Sequence, residues 1–323
     1  MASSVSAGIL CFGDRYGYIE MVVRSCVEIG IEHIILFANS CSDDYATHIE
    51  HLVSIGLVST VLRSDDNVGS AAGYSAILAN WVENSDNESI LLLDDDSVLT
   101  PTGEFALDCE LIGSASAASV YRPDRMVMRR AVEGVSTDQL YPPVGSALAF
   151  DIFHTPRRLF RRTPQQPRDR EARAKLLEAP YSGLIIGRDV IEKIGKPNSD
   201  YFIYADDTEF TRRIVKHFGP IFILQSLNIN DMEPSWNAGM RSNNFLVKLF
   251  SSKSDVRAYY SIRNRLFIDK ETAANRGKTT YFRFVVNYTI VRMVIYTFLR
   301  SEVRKSALRA LQDGYHGRLG RTL

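Results

Sequence analysis

Short apolar runs alternate with amphipathic helical patterns along the first hundred residues. Strand-type runs cover Val5 to Phe12, Ile34 to Phe37 and Ser59 to Arg63, and the helical pattern between the first two ends at Gly30. Strand and helix in repetition predict right-handed crossovers. They also predict a Rossmann-like α/β fold, in which a mostly parallel central sheet carries helices on both faces.

The pattern loosens after Asp108. Ala115 to Tyr121 and Met126 to Val132 are predicted as short strands, and Ile221 to Asn230 as a late strand. The segment 154–175 between them is rich in Arg and Pro, so it is a poor core element and is predicted as a loop. Such a loop is either a solvated surface or a lid over an anionic donor or anionic lipid.

The run from Ser89 to Leu93 ends abruptly in Asp94, Asp95 and Asp96. Three adjacent carboxylates repel one another, so they require raised pKa values or a counter-ion. Hard oxygen ligands at the end of a strand suit Mg²⁺ or Mn²⁺, with substrate phosphates completing the shell. The alternative is a solvated acidic turn.

A second strand-like run, Tyr201 to Ala205, stops at the paired carboxylates Asp206 and Asp207, where a helix is predicted to begin. A helix N-terminus stabilises an anion, which keeps at least one carboxylate ionised, as a general base requires. An ordinary acidic helix cap is the alternative.

The loop from Asp65 to Gly73 holds small residues ahead of a helical pattern. Small residues let the backbone approach a ligand, and the free N–H groups of the helix start face a phosphate or sugar oxygen. The loop matches neither a phosphate loop nor a GxGxxG motif, and a plain tight turn is the alternative. In open α/β sheets ligands collect at the carboxyl ends of strands, where this loop and Asp94 would meet.

Composition and charge narrow the class of protein. The 323 residues are 45% hydrophobic, with Lys+Arg and Asp+Glu at 38 each, which predicts a globular protein without general affinity for nucleic acid. The charge is unevenly distributed, because residues 270–323 carry a net charge of +8. The basic residues are Lys270, Arg276, Lys278, Arg283, Arg292, Arg300, Arg304, Lys305, Arg309, Arg318 and Arg321, against Glu271, Glu302 and Asp313.

The four cysteines are widely spaced and have no CxxC or His pairing, so they are predicted as buried thiols in a reducing compartment. The N-terminus shows no secretory pattern. We therefore expect a cytosolic location.

With both acidic blocks in view, the chain resembles the inverting family 2 glycosyltransferases of the GT-A fold over almost its whole length. Leu93-Asp94-Asp95-Asp96 is similar to their DXD motif, and the segment Asn67-Val68-Gly69 to their donor loop. Ser182-Gly183 is similar to their acceptor-side strand, and Ala205 to Phe210 to their acidic helix start. The Tyr204 to Glu209 block and Tyr259-Tyr260-Ser261-Ile262-Arg263-Asn264 look most like bacterial galactofuranosyl- and rhamnosyltransferases of surface-polysaccharide synthesis.

The resemblance implies a role for each acidic residue. Asp94 and Asp96 would bind the metal, Mn²⁺ or Mg²⁺, and the diphosphate, while Asp207, next to Asp206, would deprotonate the acceptor hydroxyl. Two positions depart from the family pattern: Ala38-Asn39 stands where the family has an Asp for the nucleobase, and Asp231 stands where it has a metal-binding His. Asp231 is therefore the predicted third metal ligand. The predicted donor-binding residues are Phe12, Asp65, Asp66, Asn67, Gly69 and Asp95.

The helix predicted over Tyr281 to Leu299 is long and apolar, but Arg283 and Arg292 interrupt it. A central Arg costs roughly 2.5–3.5 kcal/mol on insertion scales, which disfavours a span. An apolar face beside a basic one suits a helix lying on an anionic membrane surface. The alternative is a core-capping helix or an oligomer contact through the C-terminal helices.

The expected organisation is a catalytic domain over residues 1–250 and a basic helical region over 251–323. The catalytic domain comprises a nucleotide-sugar half, 1–107, and an acceptor half, 108–250. The expected activity is metal-dependent transfer, with inversion, of a hexose from UDP-galactofuranose or dTDP-rhamnose to a lipid-linked surface glycan. The protein would sit at the cytoplasmic face of the inner membrane. The alternatives are a sugar-nucleotide pyrophosphorylase and a non-catalytic metal- or glycan-binding module.

Overall fold

The structure is a computed structural model that describes residues 5–102, 116–154, 174–233, 255–299 and 301–322. The chain divides into two compact units. The first comprises Met1–Gly134, Asp169–Ser199 and Asp207–Ala238, and the second comprises Val135–Arg168, Asp200–Asp206 and Gly239–Leu323. The predicted boundaries at 107 and 250, and most of the predicted basic loop 154–175, lie outside the described residues.

The described part of the first unit contains one mixed sheet of nine strands. The strands are β1 Val5–Gly13, β2 His33–Cys41, β3 Thr60–Ser64, β4 Ser89–Asp94, β5 Ser97–Pro101, β6 Ala117–Tyr121, β7 Lys175–Leu176, β8 Leu184–Gly187 and β9 Ile221–Asp231. Their order is β3-β2-β1-β4-β8-β6-β9-β5, with β7 also paired to β9. The pairs β3-β2, β2-β1, β1-β4 and β6-β9 are parallel, whereas β5, β7 and β8 pair in the antiparallel direction.

The described helices of the first unit pack against this sheet through their buried apolar residues. They are α1 Tyr16–Glu28, α2 Asp43–Ser54, α3 Gly69–Asn84, α4 Met126–Val132, α6 Arg188–Ile194 and α7 Asp206–Phe218, the last belonging to the first unit from Asp207 onward. In α1 the buried residues Ile19, Val22, Val23 and Cys26 recur at helical spacing. Ser42 caps α2 by accepting a hydrogen bond from the N–H of Tyr45.

The second unit is helical in its described part. Its helices are α5 Thr137–Leu140, α8 Asp255–Asn275, α9 Lys278–Phe298 and α10 Ser301–His316. Buried residues of α8, α9 and α10 pack into one core, which includes Tyr260, Phe284, Val291 and Leu311. Gly314 permits the approach of α10 to α8, because a Cβ there would lie 2.4 Å from the carbonyl oxygen of Arg263. Among the helices of the described ranges, none has the length and apolar character needed to cross a bilayer.

Three local predictions need correction. Tyr201 to Ala205 was expected as a strand-like run, but Tyr201 ends a short 3₁₀ helix, Ser199–Tyr201, and Phe202 to Ala205 form no strand. Met126 to Val132 was expected as a strand, but it forms helix α4, with Met128 and Ala131 buried. The reason is that Met, Arg and Ala are good helix formers, and the two buried residues lie three positions apart, on one face of a helix. Cys11 and Cys26 are buried as predicted, whereas Cys41 is half-buried at the end of β2. Cys109 lies outside the described residues.

Candidate active site

Chain direction brings polar side chains from several strands to one edge of the sheet in the first unit. The parallel strands β1, β2, β3 and β4 all end there, and the registers align Leu10 with Asp94 and Phe12 with Asn39. Strand β9 ends at the same edge with Asp231, opposite Ser97 at the start of β5. We call the four carboxylates Asp94, Asp95, Asp96 and Asp231 the acidic edge.

Asp95 is the most enclosed member of the acidic edge, with none of its side chain exposed. Its Oδ2 accepts hydrogen bonds from the N–H of Phe12 at 3.0 Å and from the Tyr45 hydroxyl at 2.9 Å. Its Oδ1 lies 2.8 Å from the guanidinium of Arg15. Burial raises the pKa of Asp95 to about 6, against the opposing effects of Arg15 and the two hydrogen bonds. Asp95 therefore ties the end of β1 to the turn after β4.

Asp94 and Asp96 face less crowded surroundings. The Tyr74 hydroxyl donates to Asp94 Oδ1 at 2.7 Å, and Arg15 donates to Asp96 Oδ2 at 3.0 Å. Burial raises the pKa of Asp96 to about 7, and repulsion from Asp94 and Asp231 adds to the effect. Arg15 thus acts as a counter-ion for two of the three consecutive carboxylates.

Asp231 is bound by a buried arginine. Arg122, which is 1% exposed, contacts Asp231 Oδ2 through one guanidinium nitrogen and donates to the carbonyl of Ser182 at 3.2 Å through another. The hydroxyl of Ser97 donates to Asp231 Oδ1 at 3.2 Å, and the hydroxyl of Ser182 donates to that of Ser97 at 2.8 Å. Burial raises the pKa of Asp231, although Arg122 opposes the rise.

The predicted donor loop is held by two asparagines. Asn67 Oδ1 accepts from the N–H of Gly69 at 3.0 Å and from Asn39 Nδ2 at 3.2 Å, while Asn39 Oδ1 accepts from the N–H of Val68. Gly69 has φ +80°, a left-handed conformation that favours glycine. Asp65 and Asp66 are exposed at the end of β3, and among the described contacts none joins either side chain to the acidic edge.

Asp207 lies at the start of α7, as predicted. The N–H of Thr208 donates to its Oδ1 at 2.7 Å. Burial raises the pKa of Asp207 to about 6, while Thr208 and Arg125 lower it, and Glu178 and Asp94 raise it. Asp207 and Asp94 are thus close enough to repel one another. Asp206, the first residue of α7, is buried and belongs to the second unit.

The oxygen donors of the acidic edge fit a hard divalent cation. Mg²⁺ and Mn²⁺ take one or two protein carboxylates and complete their shell with water and phosphate oxygens, and Asp94 and Asp96 supply such carboxylates. Within the residues that the structure describes, no group of three or more His, Cys, Asp or Glu side chains is arranged to hold a metal ion. Asp94 and Asp96 therefore fit a cation whose remaining ligands come from a bound phosphate group and water. Asp231 could bind a metal ion only after its contact with Arg122 had broken. Its role as third metal ligand therefore stays a prediction.

Sequence reasoning overlooked the cations of this site. Arg15 follows β1, Arg122 follows β6, and Arg125 lies three residues farther on. The signal that identified Asp94, a charged residue directly after an apolar strand, also applies to Arg122. Tyr45 and Tyr74 carried no such signal, because they lie inside amphipathic helices and only the fold brings their hydroxyls to the carboxylates.

Comparison with known proteins supports the predicted resemblance. No family model matches the chain. The chain is 24% identical over 222 residues to the galactofuranosyltransferase GlfT2 of Mycobacterium tuberculosis, a match that covers 64% of this chain and 31% of that protein. It also resembles the crystal structure of GalNAc-T7 with UDP, GalNAc and Mn²⁺, with a TM-score of 0.55 and 11% identity over 96% of this chain and 55% of that one.

These similarities test the predicted fold and the predicted resemblance of the chain. The GalNAc-T7 match confirms the predicted GT-A fold, an α/β sheet with helices, to which this chain adds C-terminal helices. The match to GlfT2 confirms the predicted similarity to galactofuranosyltransferases. The chain spans about a third of the length of GlfT2 and about half that of the GalNAc-T7 chain.

Proposed function

We propose that the protein is a glycosyltransferase that moves a hexose from a nucleotide-diphosphate sugar to a hydroxyl group of a glycan, with inversion at the anomeric carbon. The observation that carries the proposal is that Asp207, a carboxylate of raised pKa at the start of α7, is close enough to Asp94 of the acidic edge for the two to repel one another. The similarity to a galactofuranosyltransferase supports it.

Asp207 is the proposed general base. A pKa of about 6 leaves it ionised at neutral pH and more basic than an ordinary Asp, which suits removal of a proton from a hydroxyl. The N–H of Thr208 holds Oδ1, so Oδ2 is the oxygen assigned to the acceptor proton. The acceptor oxygen would bond to the anomeric carbon while the bond to the donor phosphate oxygen breaks, and the nucleoside diphosphate would leave with that electron pair. Asp206 is proposed to support the start of α7.

The opposite side of the site is the proposed donor half. Asp94 and Asp96 would hold Mn²⁺ or Mg²⁺, which when bound neutralises negative charge on the leaving diphosphate. Arg15 lies between Asp95 and Asp96 and is placed to keep their charge balanced. Phe12, exposed at the end of β1, and the loop with Asn67 and Gly69 are the proposed contacts of the nucleotide, while Asp65, Asp66 and Asp95 stay predicted donor residues.

The proposed donor is UDP-galactofuranose, with dTDP-rhamnose second. The name of the curated relative favours galactofuranose. A hydroxyl position is recognised by pocket shape and by single hydrogen bonds, so sequence motifs alone do not separate the two sugars.

The proposed acceptor is a lipid-linked glycan at the cytoplasmic face of the inner membrane. Helix α9 exposes Phe282, Met293 and Tyr296, which share one face at spacings of eleven and three residues, and its last residue, Phe298, is also exposed. Exposed Arg292 and the basic residues of α10 lie in the same unit. Apolar side chains flanked by cations complement an anionic lipid surface.

A donor panel tests the proposal. The purified chain is mixed with UDP-galactofuranose, UDP-glucose or dTDP-rhamnose, an oligosaccharide acceptor and Mn²⁺, and nucleotide release is measured with and without EDTA. We expect nucleoside diphosphate release with one donor, loss of release with EDTA, and loss in Asp207→Asn. Pyrophosphate-dependent formation of a nucleoside triphosphate would instead indicate a pyrophosphorylase, and binding without release a non-catalytic module.

Pelleting with vesicles tests the membrane surface separately. The wild type should pellet with phosphatidylglycerol-containing vesicles, and the double variant Met293→Ser/Tyr296→Ser should remain in the supernatant. Equal pelleting of the two proteins would refute the surface. A concentration-dependent change in mass for the wild type alone would assign this face to an oligomer contact.

A further inference from the structure

The segment Tyr201–Ala205 in the second unit has an unusual backbone. Phe202, Tyr204 and Ala205 have φ values of +63°, +65° and +59°, although none of them is glycine. Each L-residue in the left-handed region costs roughly 1–2 kcal/mol, so three of them in four positions need strong outside contacts to persist. The segment leads directly into Asp206 and Asp207, without an intervening residue.

A single side chain binds most of the carbonyls of this segment. Asn264 of α8, which is fully buried, donates from Nδ2 to the carbonyl oxygens of Tyr201 at 2.9 Å, Ile203 at 3.0 Å and Tyr204 at 2.7 Å. An NH₂ group has two hydrogens, so these three acceptors share them. One amide thus replaces the regular hydrogen bonds that a left-handed segment cannot make.

Arg263 orients that amide. Its Nε donates to Asn264 Oδ1 at 2.8 Å, which leaves Nδ2 directed at the segment. Its other nitrogens donate to the carbonyl oxygens of Tyr201 at 3.1 Å and Gly320 at 2.6 Å. The guanidinium also lies over the ring of Tyr260, with 4.7 Å to the ring centroid.

Burial of the charged Arg263 side chain costs free energy. It is fully buried, and its hydrogen-bond acceptors are neutral carbonyl, amide and hydroxyl oxygens. Burial accordingly lowers the pKa of Arg263. Buried charges are a weak source of stability, so this arrangement is better explained by the backbone geometry that it holds than by a contribution to the core.

We propose that Arg263 and Asn264 are positioning residues that hold Tyr201–Ala205 in its left-handed conformation and thereby set where α7, and with it Asp207, begins. The proposal rests on the proposed role of Asp207 as the base. It gives a physical task to the Tyr259-to-Asn264 block, which the sequence singled out without a role.

Matched alanine variants test the proposal. Asn264→Ala removes the amide from the segment, and Asn287→Ala is the control. Asn287 is also fully buried in the second unit, but its amide donates to the carbonyl of Gly145 at 2.8 Å. Asn264→Ser, which keeps one donor, serves where the alanine variant fails to fold. The measurements are hydrogen exchange of peptides covering 200–210, calorimetric binding of UDP with Mn²⁺, and kcat in the donor assay.

We expect faster exchange in peptides 200–210 for Asn264→Ala, and a kcat about 10- to 100-fold lower, because a displacement of about 1 Å has such an effect. The Kd for UDP should stay within about twofold, since the donor half lies on other strands. Asn287→Ala should match the wild type in exchange at 200–210. Unchanged exchange there, or equal losses of kcat in both variants, would overturn the proposal. A wild type without transfer on any donor would instead refute the proposed function, and the exchange comparison would still decide whether Asn264 holds the segment.

Discussion

Removal of Arg122 should expose how the acidic edge is balanced. Arg122 and Asp231 form a buried pair, with side-chain exposures of 1% and 12%. In Arg122→Met a side chain of similar length fills the same space, but among the described residues Asp231 then keeps only the hydroxyl of Ser97 as a hydrogen-bond partner. Breaking one side of a buried ion pair costs about 3–5 kcal/mol. Replacing both partners, in Arg122→Met/Asp231→Asn, should recover most of that loss.

The loss should depend on pH, with a definite sign. Arg122 lowers the pKa of Asp231 against the effect of burial, so its removal raises that pKa further. A carboxylate whose pKa is raised in the folded state contributes stability at low pH and loses it as pH rises through the folded pKa. The single variant should therefore be most destabilised near pH 8 and less so near pH 5, where Asp231 can take a proton.

Thermal unfolding in the presence of EDTA measures both effects. We expect the midpoint of Arg122→Met to fall by about 6–10 °C at pH 8, at about 2 °C per kcal/mol for a long chain. The double variant should lie within about 3 °C of the wild type. If the single and double variants unfold at the same temperature at both pH values, the ion pair contributes nothing and Arg122 acts through packing alone.

Three further outcomes follow from individual residues. If transfer is observed, kcat should fall about tenfold per pH unit below pH 6 as Asp207 takes a proton, and a flat profile from pH 5 to 8 would contradict its role as base. Asp96→Asn should be more stable than the wild type at pH 8 in EDTA, because the wild type must ionise a carboxyl group whose pKa in the folded state is about 7. The gain should reach up to about 4 kcal/mol at pH 8 and vanish near pH 4, and denaturant titration at both pH values measures it. Gly183→Ala should lower the free energy of unfolding by about 1–3 kcal/mol in the same titration, because Gly183 has φ +97° and the added Cβ would lie 2.8 Å from Ile229 Cδ1. Gly195→Ala is the control and should lose less, since Gly195 has φ +73° but no atom within 4 Å of an added Cβ.

Local sequence pattern was sufficient where one element alone decides the structure. The apolar runs at Val5, Ile34 and Ser89 became parallel strands because each is buried on both faces, and such strands have no alternation to misinterpret. The carboxyl ends of those runs, with Asn39 and Asp94, then had to meet at one edge. The same reasoning failed at Met126 to Val132, because a seven-residue segment with apolar residues on both sides of two arginines fits a helix as well as a strand.

The remaining features depend on contacts between distant residues. Strand β8 enters the sheet antiparallel between β4 and β6, and β9 joins β6, so the approach of Asp231 to Asp96 is decided by pairing across more than a hundred residues. The left-handed backbone at Phe202, Tyr204 and Ala205 had no local signal, since glycine or asparagine would be expected there. It exists because Asn264 binds its carbonyls, and that contact spans about sixty residues.

Charge at the acidic edge links these observations to the proposed donor. Four carboxylates, Asp94, Asp95, Asp96 and Asp231, face the two guanidiniums of Arg15 and Arg122, which leaves two negative charges when all six groups are ionised. Burial is the main cause of the raised pKa values of Asp95 and Asp96, and repulsion from Asp94 adds to both. A diphosphate entering this edge would add further negative charge, so it could bind only with a cation that offsets both. The charges that the fold brings together therefore support the divalent metal of the proposed reaction, whichever sugar the diphosphate carries.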